Sequence, residues 1–147
     1  MFENLVLLYY ATEEIDQALV KQIAESRHRA EAFMACNEKR TLEDTHSFHD
    51  WYLTECGVYC EPDIKKCRIV LKHGSEVYQI LLAEVSSFSA YGELVSDKAN
   101  YPETYGKPPL AQVLDLWIDY RDGFEFCLLF DNERYIIIRS KCLQIQK

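Results

Sequence analysis

Cys67-Arg-Ile-Val-Leu-Lys72, then His73-Gly74-Ser75, then Glu76-Val-Tyr-Gln-Ile-Leu-Leu-Ala-Glu-Val85 is the stretch that decides the class of fold. Both runs are rich in β-branched and long apolar residues, and a short Gly-containing joint separates them. The segment therefore reads as a β-hairpin. The C-terminal third repeats the pattern: Phe124 to Phe130 and Arg134 to Arg139 flank Asp131-Asn132-Glu133, and Lys141 to Gln146 follows as a further strand. Residues 110–121 fit two periods. Leu114, Leu116, Ile118 and Tyr120 alternate as in a strand, whereas Leu110, Val113, Leu114 and Trp117 suit a helix starting after Pro108-Pro109. Asp122-Gly123 directly before Phe124 suits a hairpin turn and favours the strand.

Upstream the period changes. Between residues 12 and 40, Ile15, Leu19, Ile23, Ala30, Phe33 and Met34 recur at mostly three- and four-residue steps with charged residues between them. This predicts an amphipathic helix capped by Thr12, with Glu13 and Glu14 in the first turn and a break near Ser26. Thr41-Leu-Glu-Asp44 resembles a capping box and Gly57 suits a left-handed C-terminal cap, so a second helix is predicted over 42–56, with Leu42, His49, Leu53 and Cys56 on one face. The expected fold is α+β over a single domain, residues 1–147, with N-terminal helices packed on an antiparallel sheet of about five strands. Its expected core is Ile15, Leu19, Ile23, Phe33, Leu53, Ile69, Leu71, Leu81, Leu128, Phe130, Ile136 and Ile138.

Composition narrows the function classes. The net charge of −8, from 24 acids and 16 bases, divides as −4 on each half of the chain, so no tail holds it. A uniformly acidic globule repels phosphate, which argues against nucleic acid and anionic membranes and in favour of a basic protein as partner. The opening apolar run lacks a preceding basic region, unlike a signal peptide, and no apolar run approaches the roughly 20 residues of a membrane span. A cytoplasmic protein is expected. Its six cysteines, Cys36, Cys56, Cys60, Cys67, Cys127 and Cys142, are then expected as free thiols.

Three chemistries can be weighed against that background. His46-x-x-His49 and Cys56-x-x-x-Cys60, with Cys67 nearby, supply zinc-ligand types, but the spacing is looser than paired Cys-x-x-Cys knuckles and no second knuckle follows, so no metal or other cofactor is expected. Cys56 or Cys60 activated by His46 or His49 would make a thiol enzyme, yet no glycine-flanked nucleophile turn is present among five Gly. Carboxylate pairs such as Glu43 with Asp44 or Asp119 with Asp122 arise readily in so acidic a chain, and catalytic residues are expected to be none.

The segment from Ser86 to Pro109 lacks helical or strand periodicity over most of its length, and loops beyond about 12 to 15 residues are often functional. It interleaves Tyr91, Tyr101 and Tyr105 with Glu93, Asp97 and Glu103, a mixture suited to the Arg and Lys of a partner. Tyrosines anchoring the loop on the sheet, with the acids in water, would give the same pattern. The leading expectation is an immunity-type inhibitor that occludes the cleft of a basic partner such as a toxin nuclease. An acidic chaperone for a secreted protein and a zinc- or thiol-dependent enzyme are the alternatives, and the pattern leaves the oligomeric state open.

Overall fold

The computed structural model describes residues 2–11, 16–92, 109–131 and 133–147. Among them the chain forms α1 (Phe2–Ala11), α2 (Gln17–Glu31), α3 (Cys36–Asp44), β1 (Tyr52–Cys60), β2 (Lys65–His73), β3 (Glu76–Tyr91), β4 (Ala111–Tyr120), β5 (Phe124–Phe130) and β6 (Tyr135–Gln146). The fold is mixed α+β. Its sheet is antiparallel and closes as a barrel in the order β1-β2-β3-β6-β5-β4, with six strands rather than about five.

The additional strand is β1, which with the turn before it replaces the helix expected over 42–56 beyond Asp44. The helix stops at Asp44 because the chain turns left-handed: His46, Ser47, Phe48 and Asp50 all have positive φ, from 51° to 67°. Such backbone is costly for residues other than Gly and is held by what surrounds it. Here Ser47 N–H donates to Leu42 O at 2.8 Å, and the Phe48 ring is fully buried edge-on to Trp51 at 5.1 Å. Beyond the turn, Thr54, Val58 and Tyr59 are strand formers, and Gly57, expected as a helix cap, lies within β1. Thr41, expected as an N-cap, lies inside α3, which begins after Ala35.

The helix expected over 12–40 is likewise divided, at residues 32–35 and not near Ser26. Asp16 is its N-cap, accepting from Ala18 N–H at 2.9 Å. Thr12 to Ile15 lie outside the described residues. Glu38 anchors α3 by accepting from Ala35 N–H at 3.1 Å and, with its other oxygen, from Ile145 N–H of β6 at 2.8 Å.

The hairpins form where the sequence places them. Two residues, Gly74 and Ser75, join β2 to β3 across the pair His73 and Glu76. Arg121, Asp122 and Gly123 join β4 to β5, with Asp122 at φ 57° and Gly123 at φ 135°. Residues 110–121 resolve to strand β4, and the two runs 134–139 and 141–146 are one strand, β6. Strand β3 runs through Ser86 to Tyr91, which the sequence assigns to a loop, and a bulge after Glu84 (φ 54°) bends it so that its second half continues along β6 alone.

Two apolar clusters result. The barrel interior holds Leu53, Ile69, Leu71, Ile80, Leu82, Val113, Leu116, Phe126, Leu128, Phe130, Ile136 and Ile138, with Leu42 and Phe48 among them. Outside, Phe2 and Val6 join Trp117, Cys127, Leu129, Tyr135 and Ile137, and the Phe2 and Trp117 rings are 5.8 Å apart. Burying each of these side chains contributes about 1.5–3 kcal/mol. Leu116 to Ile118 of β4, Phe126 to Phe130 of β5 and Tyr135 to Ile138 of β6 are thus buried on both faces, which explains the unbroken apolar runs there. Of the expected core, Leu81 is displaced: Ile80 and Leu82 point inward and Leu81 does not. Phe33 is 58% exposed, although its ring stacks on Tyr120 at 3.6 Å.

Candidate functional site

Tyr91, at the end of β3, is the member of the expected partner-binding set that the described residues include. Its ring stacks on Tyr135 at 4.4 Å, so it anchors to the sheet while remaining 41% exposed. Tyr135 lies in turn beside Tyr10, whose hydroxyl donates to the carbonyls of Phe130 and Arg134 at 2.8 and 2.9 Å. Glu93, Asp97, Tyr101, Glu103 and Tyr105 lie outside the described residues.

The histidines and cysteines are dispersed by the replacement of helix with strand. His46 sits in the left-handed turn, and His49 is committed elsewhere, its Nδ1 2.6 Å from Leu114 O and its Nε2 3.5 Å from the Asp50 carboxylate. Cys60 is exposed at the end of β1. Cys56 meets another thiol: with Cys56 opposite Ile69 and Val58 opposite Cys67, the two cysteines lie diagonally on one face of the β1–β2 pair. Their interaction pulls the Cys56 thiol down and, with burial, pushes the Cys67 thiol up. Among the described residues no three His, Cys, Asp or Glu side chains converge as metal ligands.

Asp119 has a different environment from its expected partner Asp122. It is 1% exposed and accepts from Arg29 Nε at 2.9 Å and Nη2 at 3.1 Å, with Arg121 Nε at 3.5 Å. Asp122 is exposed in the turn. A pocket of about 270 Å³ beside them is lined by residues of both signs, including Arg121, Arg139, Lys141, Glu84 and Glu125. Arg139 lies 3.4 Å from Glu125, and Glu84 accepts from the Cys142 thiol at 3.6 Å. The arrangement secures α2 to β4 through a bidentate Arg29–carboxylate pair.

A larger opening lies along β1. This strand pairs with β2 over eight residues, from Tyr52 to Cys60, but with β4 only through Tyr52 and Leu53. From residue 54 onward its other side has no partner strand among the described residues. A cleft of about 550 Å³ follows that side, lined by Thr54, Glu55, Cys56, Gly57, Tyr59, Glu61, Arg68 and Leu110. Arg68, the basic side chain in this lining, is already bonded to Glu55 at 3.2 Å. Residues 42–56 read as helix concealed this site from sequence reasoning; the signal that could have found it is the clustering of Thr54, Val58 and Tyr59 around Gly57.

No protein-family model matches the chain, and no curated protein resembles it in sequence. Among solved structures, it is similar to an uncharacterized protein from Neisseria gonorrhoeae, with 13% identity and a TM-score of 0.46 over 68% of this chain and 93% of that one. Among the described residues no helix is long and apolar enough to cross a membrane.

Proposed function

We propose that this chain is a protein-binding module, an immunity-type inhibitor that neutralises a basic partner such as a toxin nuclease by occluding its active cleft. The observation that carries this reading is a barrel filled by its own side chains, Leu53, Ile69, Ile80, Leu82, Phe126 and Phe130 all being inaccessible, in a chain of net charge −8. A small barrel without an internal chamber leaves its outer surface for recognition, and an acidic surface attracts a basic one. Tyr91 is exposed at the end of β3, and we place the contact there and on the residues that follow it, Glu93, Asp97, Tyr101, Glu103 and Tyr105. Tyrosine supplies contact area, and the carboxylates supply complementarity to Arg and Lys.

The test is capture on the immobilised chain from native lysate at low salt, followed by kinetic measurement with the captured protein. The expected partner is basic, its activity is lost on binding, and its association rate falls steeply as salt rises. An acidic partner, or an association rate indifferent to salt, would overturn the reading.

A further inference from the structure

We infer that the edge of β1 at residues 55–60, which has no partner strand among the described residues, is a docking rail that takes up an extended basic segment of a partner protein as an added strand. The inference rests on the reading of the chain as a binder of basic proteins and specifies how one part of that partner is held.

Three features point to it. A strand without a neighbour aims the N–H and C=O groups of alternate residues away from its paired side, and natural proteins blunt such edges with Lys, Pro or burial. The run Glu55-Cys-Gly-Val-Tyr-Cys60 contains neither Lys nor Pro, Val58 and Tyr59 are 38% and 37% exposed, and a Cβ placed on Gly57 would meet nothing within 4 Å. The cleft of about 550 Å³ lies along this edge, room for the backbone of a second strand. Finally, the charge selects the occupant. Glu55 and Glu61 line the cleft against a single base, Arg68, which Glu55 already holds.

The geometry also sets the pattern of the segment. Successive residues of β1 alternate between the outer surface, where the Glu55 side chain is 61% exposed, and the barrel side, where Cys56 packs on the interior cluster opposite Ile69. An added strand therefore presents Lys or Arg outward, beside Glu55 and Tyr59, and apolar residues inward, over Cys56 and Leu110. Six residues at about 3.3 Å each span roughly 20 Å. Carboxylates repel an acidic segment at the same place, and a second copy of this chain would bring its own Glu55 and Glu61 to the rail.

The test uses the full chain and a fluorescent hexapeptide of alternating Lys and Val, with two controls: the Glu and Val counterpart, and the Lys and Val peptide N-methylated on alternate amides to block the ladder. The Lys peptide is expected to bind at least about tenfold more tightly than either control, the factor that corresponds to about 1.4 kcal/mol or roughly one hydrogen bond. It is also expected to protect the amides of residues 55–60 from hydrogen exchange. Glu55→Lys and Glu61→Lys should weaken it without altering the circular dichroism spectrum. Absence of binding, equal binding of the N-methylated peptide, or protection of these amides by raising the concentration of the chain alone would overturn the proposal. If none of the peptides binds while a basic partner is captured by the chain, the rail is refuted and the inhibitor reading stands.

Discussion

Replacing Glu38 by Ala tests how the α3 segment is tied to the barrel. Glu38 is 6% exposed and divides its carboxylate between two backbone donors, Ala35 N–H at 3.1 Å and Ile145 N–H at 2.8 Å. The two losses differ in kind. Ala35 is exposed, so water replaces the first bond and the cost is that of a weakened helix start, about 0.5–1 kcal/mol. Ile145 is 2% exposed, so its N–H is stranded, and losing a charge-assisted bond to a buried donor costs about 1.5–3 kcal/mol. The two losses sum to about 2–4 kcal/mol, an upper bound because relief of the desolvated carboxylate works in the opposite direction. Glu38→Gln retains one acceptor oxygen and should lose about half as much. Urea unfolding followed by circular dichroism measures each, with Glu43→Ala, exposed on the same helix, expected within about 0.5 kcal/mol of the parent. A Glu38→Ala midpoint indistinguishable from that of Glu43→Ala would refute the assignment of Glu38 as the link between α3 and β6.

Truncating either face of β6 should be costly: Ile136→Ala and Ile137→Ala, at 0% and 3% exposure in separate clusters, are each expected to lose about 2–5 kcal/mol by denaturant titration. Only Ile137→Ala should show coupling to Phe2→Ala in a double-mutant cycle, because those two side chains share one cluster. Asp115 has its pKa raised by burial, against the opposing hydrogen bonds from Trp117 and Leu116. A carboxyl with a folded pKa above its unfolded one stabilises the fold when protonated and loses that contribution as pH rises through the folded value. The stability difference between Asp115→Asn and the parent should therefore shift in favour of the variant between pH of about 3.5 and neutrality; a pH-independent difference would refute this. Brief alkylation of the native protein, read by mass spectrometry, should modify the exposed Cys36 and Cys60 while sparing Cys67 and Cys127, both inaccessible and both with raised thiol pKa values.

Legibility in the sequence followed burial. Strands β2 to β6 were visible because each carries a long apolar or alternating run between turn residues, and the helix at Gln17–Glu31 because Leu19, Ile23 and Ala30 keep a helical period. What escaped was decided by tertiary packing. The run Phe48, Trp51, Tyr52 and Leu53 has the density of an apolar helix face, and only the burial of Phe48 beside Trp51 and Tyr78 favours a left-handed turn over a continuing helix. The phase of β3 was ambiguous because Ile80, Leu81 and Leu82 are all apolar, so alternation could not say which faces inward. Ser86 to Ala90 lack strand character altogether and extend β3 because β6 is present to pair with them. The candidate site shared the fate of β1: with 42–56 read as helix, Cys56 and His49 appeared on one face, whereas the strand sets Cys56 beside Cys67 and leaves His49 with Leu114.

That same division of the barrel bears on where the proposed partner would dock. Phe2 and Val6 of α1 cover the outer side of β4 to β6 at Trp117, Leu129 and Ile137, and Arg29 of α2 binds Asp119 of β4, so this side is committed to holding the fold together. Strands β1 to β3 carry polar outer positions instead, Glu55, Lys66, Arg68 and Gln79 among them, and need no cover for stability. Among the described residues the barrel closes on the β1 side through the pairs Tyr52–Gln112 and Leu53–Ala111 and the backbone bonds of Asp50 and Trp51 with Val113 and of Leu53 with Leu110. In the proposed docking, an added strand would continue from this seam along residues 55–60, whose other side has no partner strand among the described residues. A substitution along β1 from Glu55 to Tyr59 should therefore cost less in folding than one along β5, and under the proposed strand docking it should alter partner affinity.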